Sequence, residues 1–141
     1  MRFLRSALLS AALLAGLSAQ AVELRTTLTK TSILELEVKD IIDRSFDKNF
    51  DKVFPPSQYA VYVIIDIQKD EAGQESSYIS MGLSRRTKDG EVLLPHGTVS
   101  SILRLQAPLK DGDRRAITLK AFEPLCRTFS QVLVANAQRM K

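Results

Sequence analysis

The sequence predicts an α+β domain of two layers, in which an N-terminal and a C-terminal helix cover an antiparallel meander of about four strands. Apolar residues recur at steps of three and four in residues 33–54 and again in residues 114–138. Between these segments, residues 58–106 alternate apolar and polar positions and are divided by short turn signals. The first pattern is typical of helices, and strands joined by short turns form an antiparallel sheet that helices can cover.

The first 21 residues have the composition of a secretion signal. They combine a basic start with Arg2 and Arg5, the apolar run Ala7–Leu17, and small residues that end at Ala21. The apolar run is shorter than the roughly 20 residues that span a bilayer. We therefore expect cleavage near Ala21, export to the periplasm or the medium, and one folded domain over residues 22–141 that is not an integral membrane protein.

The N-terminal part of the domain should form one long helix. Leu24 and Leu28 alternate weakly and predict an edge strand or an irregular start. Ser32 and Glu35 then have the spacing of a capping box, which marks the start of a helix. The apolar face continues to a Pro-Pro pair, which stops helical geometry. The predicted helix covers Ile33–Phe54.

The stretch "FDKNFDKVF" raises the question of a calcium loop, since Asp47, Asn49 and Asp51 are spaced as in the start of one. Such a loop needs glycine at its sixth position and a bidentate glutamate at its twelfth, where this chain has Lys52 and Gln58. An amphipathic helix explains the repeat better, because phenylalanines four residues apart stay near one face that can cover the sheet. We expect no metal site here.

The middle of the chain predicts the sheet. The expected strands are residues 58–70, 77–86, 91–94 and 98–106. In the first of them, Tyr62 and Ile64 give the second face apolar character, which is typical of a central strand partly covered on both sides. Asp89-Gly90 is a hairpin signal, and Pro95-His96-Gly97 is expected to separate the last two strands.

The C-terminal segment predicts a helix over about residues 114–138, with Asp113 as its N-cap and a possible kink at Pro124. Residues 116–122 also alternate like a strand. The alternative is a fifth strand over those residues, followed by a helix that starts at Pro124.

Charge and composition argue against a nucleic-acid partner. Removal of the two arginines of the signal leaves 18 of the 20 basic residues against 16 acidic ones, a net charge of about +2. An exported domain with so small a charge is expected to bind another protein, or else an anionic lipid or envelope polymer. No motif for a cofactor is present, so none is expected.

Two basic clusters are the candidate binding residues. They are Arg85 and Arg86 with Lys88 at a hairpin end, and Arg114 with Arg115 at the start of a helix. Paired arginines can hold carboxylates or phosphates. Two positive side chains at a helix start are electrostatically unfavourable, so an acidic neighbour is expected to offset them.

Residues for catalysis are sparse. His96 is the only histidine, and no Gly-x-Ser-x-Gly or glycine-rich phosphate loop occurs. Cys126 is the only cysteine, so it cannot form an internal disulfide; it either stays free, as a small core residue, or pairs between chains.

These features predict a non-enzymatic binding domain of the cell envelope. Its role would be to assist envelope assembly or secretion, or to neutralise a toxin as an immunity protein. One alternative is a small envelope hydrolase that uses His96. The other is a binder of anionic envelope components through the arginine doublets.

Overall fold

The computed structural model describes residues 22–106 and 109–140, and the predicted secretion signal lies outside these ranges. The elements are, in chain order, β1 (Leu24–Thr29), α1 (Glu35–Ser45), α2 (Phe50–Val53), β2 (Tyr59–Lys69), β3 (Glu75–Thr87), β4 (Gly90–Leu105), α3 (Asp111–Ala135) and α4 (Ala137–Met140). The sheet order is β1-β2-β3-β4, with β1 parallel to β2 and the other pairs antiparallel. The predicted α+β class is confirmed.

The weak alternation before the first helix forms a true edge strand. In β1, Leu24 lies opposite Val61 and Leu28 lies opposite Ile65, and both pairs point towards the core. Parallel neighbours need a crossover connection, which α1 and α2 supply here. The alternation alone indicates a strand but carries no information on its direction.

The prediction of one helix over Ile33–Phe54 is wrong, because residues 46–49 leave the helical path between α1 and α2. The carboxylate of Asp47 accepts a hydrogen bond from the backbone N–H of Asn49 at 2.8 Å. The N–H of Asp47 itself donates to the hydroxyl of Ser130 in α3 at 2.9 Å. Such local side-chain bonds compete with the helical ladder and open it.

The break in the helix gathers the phenylalanines into an aromatic cluster. Phe50 and Phe54 are 2% and 1% exposed. The ring centroid of Phe50 lies 4.8 Å from that of Phe46 and 6.5 Å from that of Phe129. Phe54 meets the ring of Tyr59 edge to face at 5.3 Å. The phenylalanines thus join α2, α3 and the start of β2.

The prediction that Ser32 and Glu35 form the capping box of the first helix is wrong, because α1 begins further along the chain. Leu34 is the N-cap residue. The backbone N–H of Leu34 donates a hydrogen bond to the carboxylate of Glu37 at 3.0 Å. Half of the motif survives in this way, two residues further along, because a glutamate in the third helical position can reach back to the cap.

The two strands predicted at 91–94 and 98–106 merge into β4. The interruption between them is a bulge: Gly82 pairs with Thr98 and Ser84 pairs with Leu93, so Leu83 alone lies opposite four residues of β4. Bulges bend a strand and redirect its side chains without ending the pairing.

The ambiguous C-terminal segment is helical throughout residues 116–122. Helix α3 begins at Asp111 with Lys110 as its N-cap, so the prediction of Asp113 as the cap is wrong by three residues. The helix continues through Pro124. Among the described residues, no helix is long and apolar enough to cross a bilayer.

The core fills the space between the helices and the face of the sheet to which the odd-numbered residues of β2 point. Val61, Val63 and Ile65 are fully buried there. Phe122 and Cys126 reach the same core from α3 and are 0% exposed. Burial raises the pKa of the Cys126 thiol far above its ordinary value, so this side chain is a core residue and not a reactive thiol.

Candidate functional site

The other face of the sheet is not covered by any helix of the described residues. It consists of the even-numbered residues of β2 and their neighbours across β1, β3 and β4, and we call it the open face. Its apolar side chains are well exposed: Ile64 is 38%, Leu93 51% and Ile102 69% exposed. Hydroxyl groups lie among them, and Ser100 donates to the oxygen of Ser80 at 3.1 Å. Such a continuous surface is typical of an interaction site.

A cavity of about 220 Å³ opens in this face, and we call it the Gly82 cavity. Its lining residues are Tyr62, Ile64, Ser80, Met81, Gly82, Ser84, Glu91, Leu93 and Thr98. Pockets that bury whole drug-sized ligands are roughly 300–1,000 Å³, so this cavity is smaller than a typical small-molecule site. It has instead about the volume of one large side chain.

Glycine at position 82 allows side chains of β4 to approach β3 closely beside this cavity. A Cβ atom at Gly82 would lie 2.7 Å from a methyl group of Leu93 and 3.2 Å from the methyl group of Thr98. Leu93 and Thr98 both approach Gly82 because the bulge of β4 removes four residues from the regular pairing between them. The close approach of Leu93 and Thr98 to β3 therefore depends on the bulge and on the missing side chain together.

A group of paired charges borders the cavity at the end near the β3–β4 hairpin. The hydroxyl of Tyr62 donates to Glu91 at 2.6 Å, and a guanidinium nitrogen of Arg25 lies 3.2 Å from the same carboxylate. Arg25 also contacts Glu23 at 2.5 Å, and Arg86 lies 3.3 Å from Glu23 and 3.9 Å from Glu91. Two arginines thus face two glutamates, and their charges cancel.

The hydrogen bond between Tyr62 and Glu91 fixes the protonation of both groups. It lowers the pKa of Glu91 and raises the pKa of Tyr62 relative to their ordinary values. Glu91 therefore stays ionised and Tyr62 stays protonated around neutral pH. A general base needs a pKa near the working pH, so this pair is suited to binding and not to proton transfer.

The predicted binding residues Arg114 and Arg115 are already engaged within the chain. Arg114 holds the carboxylate of Glu75 with two nitrogens at 2.8 and 3.1 Å and also contacts Asp111 at 2.9 Å. Arg115 binds both oxygens of Glu37, one of them at 3.0 Å, and lowers the pKa of that carboxyl group. The acidic neighbours expected at this helix start thus belong to the same chain.

The other basic cluster lies at the opposite end of the sheet. Arg86 belongs to the charge group beside the cavity, whereas Arg85 and Lys88 are exposed and form no ion pair with the described part of the chain. Arg86 is 11 positions from Glu75, the residue that holds Arg114, and this is roughly 36 Å along an extended strand. The two doublets therefore do not form one basic surface.

His96 is exposed in the bulge of β4, where it faces the C-terminal end of α3. The cavity beside it is lined by His96, Val132, Leu133, Asn136 and Arg139, and this set contains no serine, cysteine or carboxylate. Nucleophilic catalysis needs a nucleophile within hydrogen-bond reach of its base. The surroundings of His96 therefore do not support the hydrolase alternative.

The stretch that resembles the start of a calcium loop forms the turn between α1 and α2. Asp47 uses its carboxylate to hold the turn at Asn49, and one carboxylate oxygen of Asp51 is buried without a hydrogen-bond partner. Within residues 22–106 and 109–140, no three side chains of the metal-binding types come together. The stretch positions the aromatic cluster.

No protein-family model matches this chain, and no curated protein matches it either. Its function must therefore be argued from the geometry of the open face and of the Gly82 cavity. Sequence reasoning missed the cavity, although Tyr62 and Ile64 were the residues that indicated a second apolar face on the central strand.

Proposed function

We propose that this protein is an exported, non-enzymatic binding domain of the cell envelope, which holds another protein on its open face. The observation that carries the proposal is the Gly82 cavity, an apolar depression in an uncovered sheet. Export is supported by the composition of residues 1–21. The role would be to assist envelope assembly or secretion, or to neutralise a toxin.

The charge of the open face favours a protein partner. Its charged side chains are three arginines and three carboxylates, namely Arg25, Arg86, Arg104, Glu23, Asp66 and Glu91. A face without net charge does not attract nucleic acid or anionic lipid, which bind mainly through positive charge. The surface instead combines exposed aliphatic side chains, tyrosines and hydroxyl groups, a combination common in protein interfaces.

The cavity gives this interface a centre. Binding energy in protein complexes is concentrated in a few large side chains that fill pockets near the middle of the contact. In this protein the apolar walls of Ile64 and Leu93 can take one such side chain, and the hydroxyl groups of Ser80 and Thr98 can bond to the backbone around it. We therefore expect the partner to insert one large apolar residue beside Gly82.

Filling the cavity tests the proposal. The unchanged protein and the Ser80→Trp variant are each purified and used as bait in an envelope extract of the cells that make the protein. Ser80→Trp should abolish capture of the partner that the unchanged protein binds. With the identified partner, calorimetry should give a Kd at least about tenfold weaker, or about 1.4 kcal/mol.

Thr128→Trp is the matched control, because Thr128 is exposed on α3, on the other side of the molecule. This variant should bind normally. Leu93→Ala truncates a half-exposed wall of the cavity and should also weaken binding. Because this smaller change should not disturb folding, it shows whether the loss of binding by Ser80→Trp is due to the cavity and not to misfolding. Failure to capture any partner, or equal binding by all variants, would overturn the proposal.

A further inference from the structure

The outer edge of β4 is a second surface with an unused capacity to bind. Strand β4 is the last in the sheet order, and no strand of the described residues pairs with its outer side. Side chains are exposed or half-buried from Thr98 to Arg104, between buried Gly97 and Leu105. We call residues 98–104 the free edge. Unpaired N–H and C=O groups along such a strand are a template for another strand.

The free edge lacks the features that normally prevent pairing. Proteins protect edge strands with proline, lysine, bulges or very short length. Residues 98–104 read Thr-Val-Ser-Ser-Ile-Leu-Arg, and the proline and the bulge of β4 lie before them. Strand β1, at the other end of the sheet, has only six residues and is bordered by Glu23 and Lys30.

We propose that a second copy of this chain pairs with the free edge in antiparallel orientation, about a two-fold axis at Ser101. Two-fold dimers are the commonest symmetric assemblies, and their interface must be complementary to itself. We place the axis at Ser101 because this residue lies midway between Gly97 and Leu105, the two buried residues at which the accessible stretch of β4 ends. This register also keeps the helices of both copies on the same side of the joined sheet.

The side chains of the free edge complement one another in this register. On the core side, half-buried Val99 lies opposite Leu103 of the second copy, and this apolar pair occurs twice. On the open face, Thr98 lies opposite Arg104 of the second copy. The only charge of the segment therefore never opposes itself. The dimer has one eight-stranded sheet with both Gly82 cavities on the same face.

Disulfide cross-linking tests the axis directly. Residues directly opposite in an antiparallel pair have Cα atoms about 4.5–5.5 Å apart, within the range that a disulfide bridges. Ser101→Cys should therefore give a covalent dimer under mild oxidation. In Ser100→Cys the two thiols lie diagonally, with Cα atoms roughly 8 Å apart, and no cross-link should form. Cys126 is buried and should not compete.

Charge substitution at Ser101 provides the solution test. By analytical ultracentrifugation, the protein purified after expression of the full chain should dimerise with rising concentration. Ser101→Lys and Ser101→Glu should each raise the dimer Kd at least about tenfold, because like charges then meet at the axis. Mixing the two variants should restore the dimer. A monomer at every concentration, normal dimers of both variants, or equal cross-linking of Ser100→Cys would overturn the proposal, whatever the open face binds.

Discussion

Replacing Pro124 with alanine should stabilise the protein. Pro124 lies inside α3 and is exposed, so its ring contributes little packing. It lacks the N–H that would bond to the carbonyl of Lys120, and an interior proline costs a helix about 3 kcal/mol relative to alanine. Proline also restricts the unfolded chain, which returns up to about 1 kcal/mol. The net gain should be about 2 kcal/mol.

Urea denaturation measures this gain. With a slope m of about 1.5 kcal/mol/M, the midpoint of unfolding of Pro124→Ala should rise by roughly 1.3 M at unchanged m. Thr128→Ala, also exposed on α3, is the control, and its gain in helix propensity should not exceed about 0.7 kcal/mol. An unchanged or lower midpoint for Pro124→Ala would refute the reasoning, since it would mean that the proline does not destabilise the folded helix.

Three further predictions concern the buried side. Phe122→Ala should lower the free energy of unfolding by about 3–5 kcal/mol, because Phe122 is fully buried. Val132→Ala, on the exposed side of α3, should change it by about 0.5 kcal/mol or less. Equal losses in urea titrations would contradict the assigned burial. Burial and the nearby Asp43 raise the pKa of Asp51, so the stability due to its proton is present at low pH and is lost as pH rises through the folded-state pKa. Asp51→Asn should therefore stabilise the protein more at pH 7 than at about pH 3, and a gain independent of pH would disprove this. Cys126 should react with a thiol reagent only at the rate of unfolding, and fast labelling of the native protein would show that it is accessible.

The long periodic elements could be predicted from the sequence, because each repeats its pattern over many residues. The strand at 58–70 is an example, because the structure buries the odd-numbered side chains Val61, Val63 and Ile65 of its alternation. The helix over 116–122 is present too, but it buries Thr118 and Phe122 and leaves Ile117 exposed. The errors lie where one contact overrides a local pattern. Asp47 ends the first helix through bonds to its own turn and to Ser130, which is 83 residues away in the chain. No spacing within the helix indicates that bond.

The candidate site was beyond prediction for a related reason. The Gly82 cavity exists because a bulge brings Leu93 and Thr98 over a glycine of the neighbouring strand, and this register is a property of the assembled sheet. The net charge of the open face also depends on contacts that form only in the folded sheet. An excess of basic residues in the sequence predicts surfaces that attract anions. Ion pairs within the fold, however, decide which basic side chains remain free to bind. In this fold Arg25 and Arg86 are paired with Glu23 and Glu91. The open face is neutral because the strands place opposite charges together, so we expect shape and apolar contact to select the proposed partner.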